Sequence, residues 1–182
     1  MDFSRQDYSL GIFIVAVTLV FAILILSYAH SIADRFIVEE DVSQEMRQNL
    51  VEIYGEDATF SEFEYENNLF FVAREGGNVI GMAHAATGTG YGGDMEVLVG
   101  MDDAANIVGL NVIDHSETPD LGDRVLQDDF KERFVGLGYN DPITIGDDID
   151  SLTGATVSAE AMAEAAREAV ELTFPALRSG EY

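Results

Sequence analysis

The chain has 182 residues, 34 of them acidic and 9 basic, for a formal charge of −25. No basic face is available to neutralise phosphates, which argues against nucleic acid as a partner. Cysteine is absent, and with it disulfides, thiolate nucleophiles and cysteine-ligated iron–sulfur clusters. Lys131 is the one lysine. So many carboxylates with so few ammonium groups suit a salt-rich setting where ions screen self-repulsion, with solubility alone as the other reading.

Residues 1–8 form a short N-terminal tail. Residues 9–33 open with SLGIFIVAVTLVFAILILSYA, and no Asp, Glu, Lys or Arg occurs across residues 8–33. About 20 apolar residues at roughly 1.5 Å each match a hydrocarbon core of about 30 Å, so a single transmembrane helix is predicted. The alternative is a cleavable signal peptide ending at Ser31-Ile32-Ala33, whose apolar region is ordinarily shorter, about 7–15 residues. Arg5 precedes this segment while Arg35 and Arg47 follow it. Orientation is thus poorly encoded, and the count leans toward a cytoplasmic domain.

Over residues 34–54 the spacing predicts a connecting amphipathic helix. Val42, Met46, Leu50 and Ile53 recur at three- and four-residue steps, and Glu39-Glu40-Asp41 suits the start of a helix dipole. Residues 55–182 read as one domain. Strand signals fill residues 59–115: LFFVAR (69–74) and VIGMAHA (79–85) flank Glu75-Gly76-Gly77-Asn78, and MEVLVGM (95–101) and IVGLNVI (107–113) flank a second turn at residues 102–106. Such short turns predict antiparallel pairing. DRVLQDDFKERF (123–134) reads as a helix with Val125, Leu126, Phe130 and Phe134 on one side, and residues 158–174 read as the closing helix. Strands first and helices later predict an α+β fold, a twisted antiparallel sheet packed by helices. His30, His84 and His115 lie far apart without ligand spacing. No metal centre is expected; His84 reads as a strand residue and His30 as a membrane-interface one.

Three passages interrupt the pattern. TGTGYGG (87–93) lies between the hairpins and runs into a strand rather than a helix, so its GxG is no dinucleotide fingerprint. It reads as a sharp turn or a close approach to a ligand, with a plain connector as the alternative. HSETPDLGDRV (115–125) combines a Thr118-Pro119 bend with Gly122, which permits a left-handed residue before the next helix. Polar loops on a rigid scaffold are where binding groups tend to sit. DSLTGATVSAEA (150–161) leads into the last helix, whose free N–H groups and dipole make an anion site that Gly154 lets a bound group approach. The rival reading is that Thr156 or Ser158 simply caps the helix.

Asp150-x-x-Thr153-Gly154-Ala155-Thr156 resembles the flavinylation motif D-x-x-[S/T]-G-A-T of the covalent FMN-binding domain. That domain occurs in the membrane-anchored flavin subunits of Rnf electron-transport complexes and of Na⁺-translocating NADH:quinone reductases. HSETPDLGD resembles its H-x-E-T-P-G-L-G loop, and GYGGDMEVLVGMD its G-Y-G-G-x-I-x-V-x-V-G strand. Asp120 stands where a glycine is usual and Asp94 where a proline is common. Asp120 adds a negative charge near the implied pocket and must tolerate any left-handed backbone there. The short length after the anchor favours the Rnf flavin protein over the larger quinone-reductase one.

The resemblance implies that a flavin transferase moves FMN from FAD onto Thr156 through a phosphoester. It places Glu117, Thr118 and Leu121 in the flavin pocket, and Thr153, Gly154 and Ala155 at the phosphate turn. Tyr91 adds a ring nearby or belongs to the core. Asp150 serves the transferase through Mg²⁺ or forms an Asx turn. Arg124, Lys131 and Arg133 locally oppose an acidic field that disfavours anionic reduced flavin. The implied protein is an electron carrier within an ion-translocating Rnf-type ferredoxin:NAD oxidoreductase complex, not catalytic alone. Its partners are the other membrane and redox subunits, the transferase and membrane lipid, and its domain faces the periplasm or cell exterior. A stand-alone anchored flavoprotein of extracellular electron transfer is one alternative. A non-redox membrane-tethered domain, in which TGAT is only a helix cap, is another.

Overall fold

Tight turns and strands buried on both faces organise the sheet. The computed structural model describes Thr18, residues 42–116 and residues 123–182. Helix α1 (Gln44–Tyr54) precedes β1 (Thr59–Tyr65), β2 (Asn68–Glu75), β3 (Asn78–Thr89), β4 (Asp94–Asp102) and β5 (Ile107–His115). Helices α2 (Asp128–Lys131) and α3 (Thr156–Ser179) follow the sheet. The strands form one antiparallel meander in sequence order. Glu66-Asn67 and Gly76-Gly77 close the first two hairpins, and all four residues have positive φ. That sign is what a two-residue type I′ loop needs to match the twist of its strands. The expected α+β class and antiparallel pairing are therefore present, with β1 as a fifth strand beyond the four apolar runs.

The two sheet faces bury different layers. On β4, Val97 and Val99 join a cluster with Ala159, Met162, Ala166 and Ala169 of α3, whereas Leu98 joins Leu50 of α1 on the other face. Strand β3 crosses the middle, and its Gly88 explains why α3 sits so close. A Cβ at position 88 would come 2.0 Å from the Ala161 carbonyl oxygen, so only a glycine opposite an alanine-rich helix permits this approach. The close approach expected around residues 87–93 is thus to a helix backbone, and residues 87–89 belong to β3 rather than to a loop.

The single helix expected over residues 123–134 is instead three short pieces: a 3₁₀ turn (Asp123–Leu126), α2, and a second 3₁₀ turn (Glu132–Phe134). Gln127 is extended, with φ −74° and ψ 144°, which breaks the α-helical ladder. Val125, Phe130 and Phe134 are nevertheless fully buried. Burying each such side chain is worth about 1.5–3 kcal/mol, more than the roughly 1 kcal/mol of each helical hydrogen bond forgone. Helix α3 starts two residues before and ends five residues after the expected 158–174. Pro175 falls in its last turns, and Gly180 ends it in the left-handed conformation.

Among the described residues no helix is long and apolar enough to cross a membrane. The transmembrane segment expected at residues 9–33 lies outside the described residues except for Thr18, as do residues 34–41 of the connecting helix, of which α1 is the described remainder. Residues 1–40 and 41–182 are separate compact units.

Candidate functional site

The stretch from Asp150 to Ser158 alternates anchors with exposed groups. Leu152 and Ala155 are buried in the main core, while Thr153, Gly154 and Thr156 face solvent. The Ala155 amide donates to the Leu152 carbonyl at 3.0 Å, closing a four-residue turn with Thr153 and Gly154 at its centre. Gly154 has φ +86°, the positive value a type II turn requires at that position. Beyond its two chain neighbours, a Cβ at Gly154 would meet no atom nearer than 4.0 Å, so the glycine is needed for its backbone sign and leaves open space above the turn.

Helix α3 begins directly after it. Ala155 is the N-cap residue and no side chain caps the helix; Thr156 is the exposed first helical residue, and Ser158 sits buried at the third. The cap alternative is therefore overturned. Ser158 Oγ has no hydrogen-bond partner although the residue is only 1 % exposed. The first turn carries no acidic residue, so its free N–H groups present partial positive charge to an incoming anion. An exposed hydroxyl, an uncapped helix start and an open turn fit a phosphate joined at this point.

Two arginines hold the turn from outside the motif. Arg124 Nη1 donates to the Thr153 carbonyl at 2.6 Å, and Arg133 Nη1 donates to the Asp150 carbonyl at 2.9 Å. The Asp150 side chain is exposed. Nothing local in the motif marks these braces, since the partners lie 29 and 17 residues apart in sequence.

The GYGG loop and the described flanks of the HSETPDLGDRV stretch lie near the same part of the domain. Gly88 touches Ala161, about 7.5 Å along α3 from Thr156 at 1.5 Å per residue. The GYGG loop follows, pinned by a Gly90 amide to Gly93 carbonyl bond at 2.8 Å. Ser116, at the end of β5, donates its amide to the Asp94 carbonyl at 3.2 Å and packs on Gly93. Thus Ser116, before residues 117–122, is tied to the GYGG loop, and Arg124, after them, to the Thr153-Gly154 turn. Glu117, Thr118 and Leu121 themselves, with Asp120 and Gly122, lie outside the described residues. Tyr91 is 72 % exposed, which removes its core alternative. Val157, next to Thr156, is 46 % exposed and adds apolar surface.

His84 is a strand residue, as expected. Its ring nitrogen lies 2.8 Å from the Leu69 carbonyl and the ring is 4.7 Å from that of Phe70. Burial lowers its pKa, opposed by the Leu69 hydrogen bond and by Glu168. A cleft of about 490 Å³ beside α1, β5 and α2 is lined by Glu52, Val108, Asn111, Asp128, Lys131 and Val135, among others. Its polar floor is satisfied internally: Asn111 donates to Glu52 at 2.8 Å and accepts from Lys131 at 3.3 Å, while Lys131 pairs with Asp128 at 2.8 Å. None of these groups belongs to the three motifs.

Residues 90–171 match the FMN-binding domain family, a span that runs from the GYGG loop to well inside α3. Among curated relatives, the G component of the ion-translocating oxidoreductase complex of Cereibacter sphaeroides is 36 % identical over 101 residues, covering 50 % of this chain and 46 % of the relative. The corresponding component of the proton-translocating ferredoxin:NAD(+) oxidoreductase complex of Clostridium ljungdahlii is 31 % identical, covering 56 % and 58 %. The chain thus spans about half the length of these relatives. The G component of the ion-translocating oxidoreductase complex of Methanosarcina acetivorans is 29 % identical over 82 % of this chain and 85 % of its own. The fold resembles the crystal structure of Shewanella oneidensis NqrC, with a TM-score of 0.54 and 20 % identity over 62 % of each chain.

Proposed function

We propose, from the premise that this chain belongs to the FMN-binding domain family through residues 90–171, that it is a membrane-anchored electron carrier with FMN esterified to Thr156. The observation that carries this reading is the exposed Thr156 at the uncapped start of α3, directly after the open Gly154 turn. Residues 9–33 are the anchor, and the domain faces the periplasm or cell exterior. Its setting is an Rnf-type ion-translocating ferredoxin:NAD oxidoreductase complex, whose other membrane and redox subunits are its partners. The names of the relatives support that assignment.

Thr156 is the acceptor. In a reaction run by a flavin transferase, its hydroxyl gives up a proton and Oγ1 takes the FMN phosphoryl group from FAD, with AMP leaving. The helix start favours the resulting negative charge by about 0.3–1 kcal/mol. Gly154 gives the phosphate access, while Leu152 and Ala155 fix the turn to the core. Asp150 is exposed for the transferase and Mg²⁺. Glu117, Thr118 and Leu121 line the flavin, and Tyr91 and Val157 offer it solvent-facing apolar surface. FMN, when attached, supplies one-electron chemistry; the protein supplies position and field.

The test is co-expression with a flavin transferase, followed by fluorescence of the denatured band. Wild type is expected to fluoresce and Thr156→Val to be dark. Equal fluorescence in both would move the attachment point, and a dark wild type would end the flavin assignment.

A further inference from the structure

We propose that Arg124 is the positioning residue of the attachment turn and supplies the positive charge beside the phosphate joined to Thr156. The inference rests on the FMN reading above. Arg124 Nη1 donates to the Thr153 carbonyl at 2.6 Å, and beyond the chain neighbours of Gly154 it is the atom nearest to a Cβ built there, at 4.0 Å. Its guanidinium therefore lies over the turn that precedes Thr156. A guanidinium carries five N–H donors in a planar fork, suited to a carbonyl and a phosphate oxygen together.

Arg133 shows what a purely bracing arginine looks like here. Its Nη1 holds the Asp150 carbonyl at 2.9 Å and its Nε the Asp129 carbonyl at 3.3 Å. Nη2 lies 3.9 Å from the Asp129 carboxylate, and the group stacks over Phe130 at 5.2 Å. That charge is already compensated. Among the described residues, Arg124 bonds to the Thr153 carbonyl and makes no ion pair. In a chain of net charge −25, an arginine without a carboxylate among the described residues, at an uncapped helix start, matches an anion that arrives later. Ser158 Oγ, buried in the first turn of α3, has no hydrogen-bond partner.

Two substitutions separate charge from shape. Arg124→Gln keeps a donor for the Thr153 carbonyl and loses the charge; Arg124→Lys keeps the charge and loses the fork. Both sit on an exposed side chain, so melting curves close to wild type are expected. With full-length protein, purified transferase and FAD, the initial rate of covalent flavin incorporation should fall about tenfold in Arg124→Gln, the factor for one charge-assisted hydrogen bond lost. Arg124→Lys should stay within about threefold of wild type, as expected if charge matters more than the fork. In loaded protein the flavin midpoint potential should be lower in Arg124→Gln than in wild type or Arg124→Lys, because a nearby cation favours reduced, anionic flavin. If Arg124→Gln matches wild type in rate and potential, the assignment is wrong. If both variants slow equally with unchanged potential, Arg124 only braces the turn and the charge role falls. No flavin on wild type would overturn the FMN reading itself, whereas flavin on wild type with an indifferent Arg124→Gln overturns this assignment alone.

Discussion

Tyr54 grips both backbone groups of Met101. Its hydroxyl donates to the Met101 carbonyl at 2.8 Å and accepts from the Met101 amide at 2.9 Å. The contact lies where the pairing of β4 with β5 shifts register between Gly100 and Met101. Gly81 and Gly100 make room for the ring, since a Cβ at either would come within 3.1 Å of it. Burial pushes the Tyr54 phenol well above its usual range, so it remains a donor throughout. Tyr54→Phe keeps the ring and removes both bonds, leaving a buried amide and carbonyl unpaired. A loss of about 2 kcal/mol in urea denaturation is expected; a loss below about 0.5 kcal/mol would mean that other groups satisfy Met101.

Gly88→Ala probes the approach of β3 to α3. Its Cβ would sit 2.0 Å from the Ala161 carbonyl oxygen, which is backbone and has no rotamer to yield. Overpacking of this kind costs about 1–3 kcal/mol. Because the same contact positions the start of α3, flavin incorporation should slow alongside the loss of stability. A variant as stable as wild type would show that α3 shifts freely on the sheet.

His84 gives the fold a pH dependence of known sign. Its pKa is lowered in the folded protein by burial, from an unfolded value of 6.5. Between 6.5 and the lower folded value, the unfolded chain binds more protons, so stability is full above about 6.5 and declines as pH falls below it. His84→Leu removes that proton uptake. The stability difference between wild type and His84→Leu should therefore shift against wild type from about pH 7.5 to about pH 5.5 in chemical denaturation. A constant difference would sink the attribution to His84.

Two neighbouring substitutions in α3 should behave oppositely. Thr156→Val changes an exposed residue and should alter stability by no more than about 0.5 kcal/mol, while eliminating covalent flavin. Ser158→Ala removes a buried hydroxyl that has no partner. The unloaded protein should then be unchanged or up to about 1 kcal/mol more stable by calorimetry. A clear destabilisation would reveal a hydrogen bond at Ser158 Oγ.

Much of the scaffold could be read from local pattern. The Gly76-Gly77 turn, the apolar runs VIGMAHA and MEVLVGM, and the long alanine-rich helix each encode their geometry within a few residues, because strand pleat, turn φ and helix period are local properties. The motif Asp150 to Thr156 was legible for the same reason, being contiguous. The sequence 123–134 misled because its apolar spacing fits a helix equally well. What broke that helix was burial of Val125, Phe130 and Phe134 around an extended Gln127.

By itself, the amino-acid sequence determined the antiparallel sheet, the acidic surface, the absence of thiol chemistry and the identity of the exposed threonine. Only the tertiary structure decided that Gly88 faces a helix backbone, that Tyr54 completes Met101 from 47 residues away, and that Arg124 and Arg133 brace the turn before Thr156. Each of these is a contact with a distant backbone group. Backbone carbonyls and amides are the same in every residue, so no side-chain pattern announces which one will lie opposite until the chain has folded.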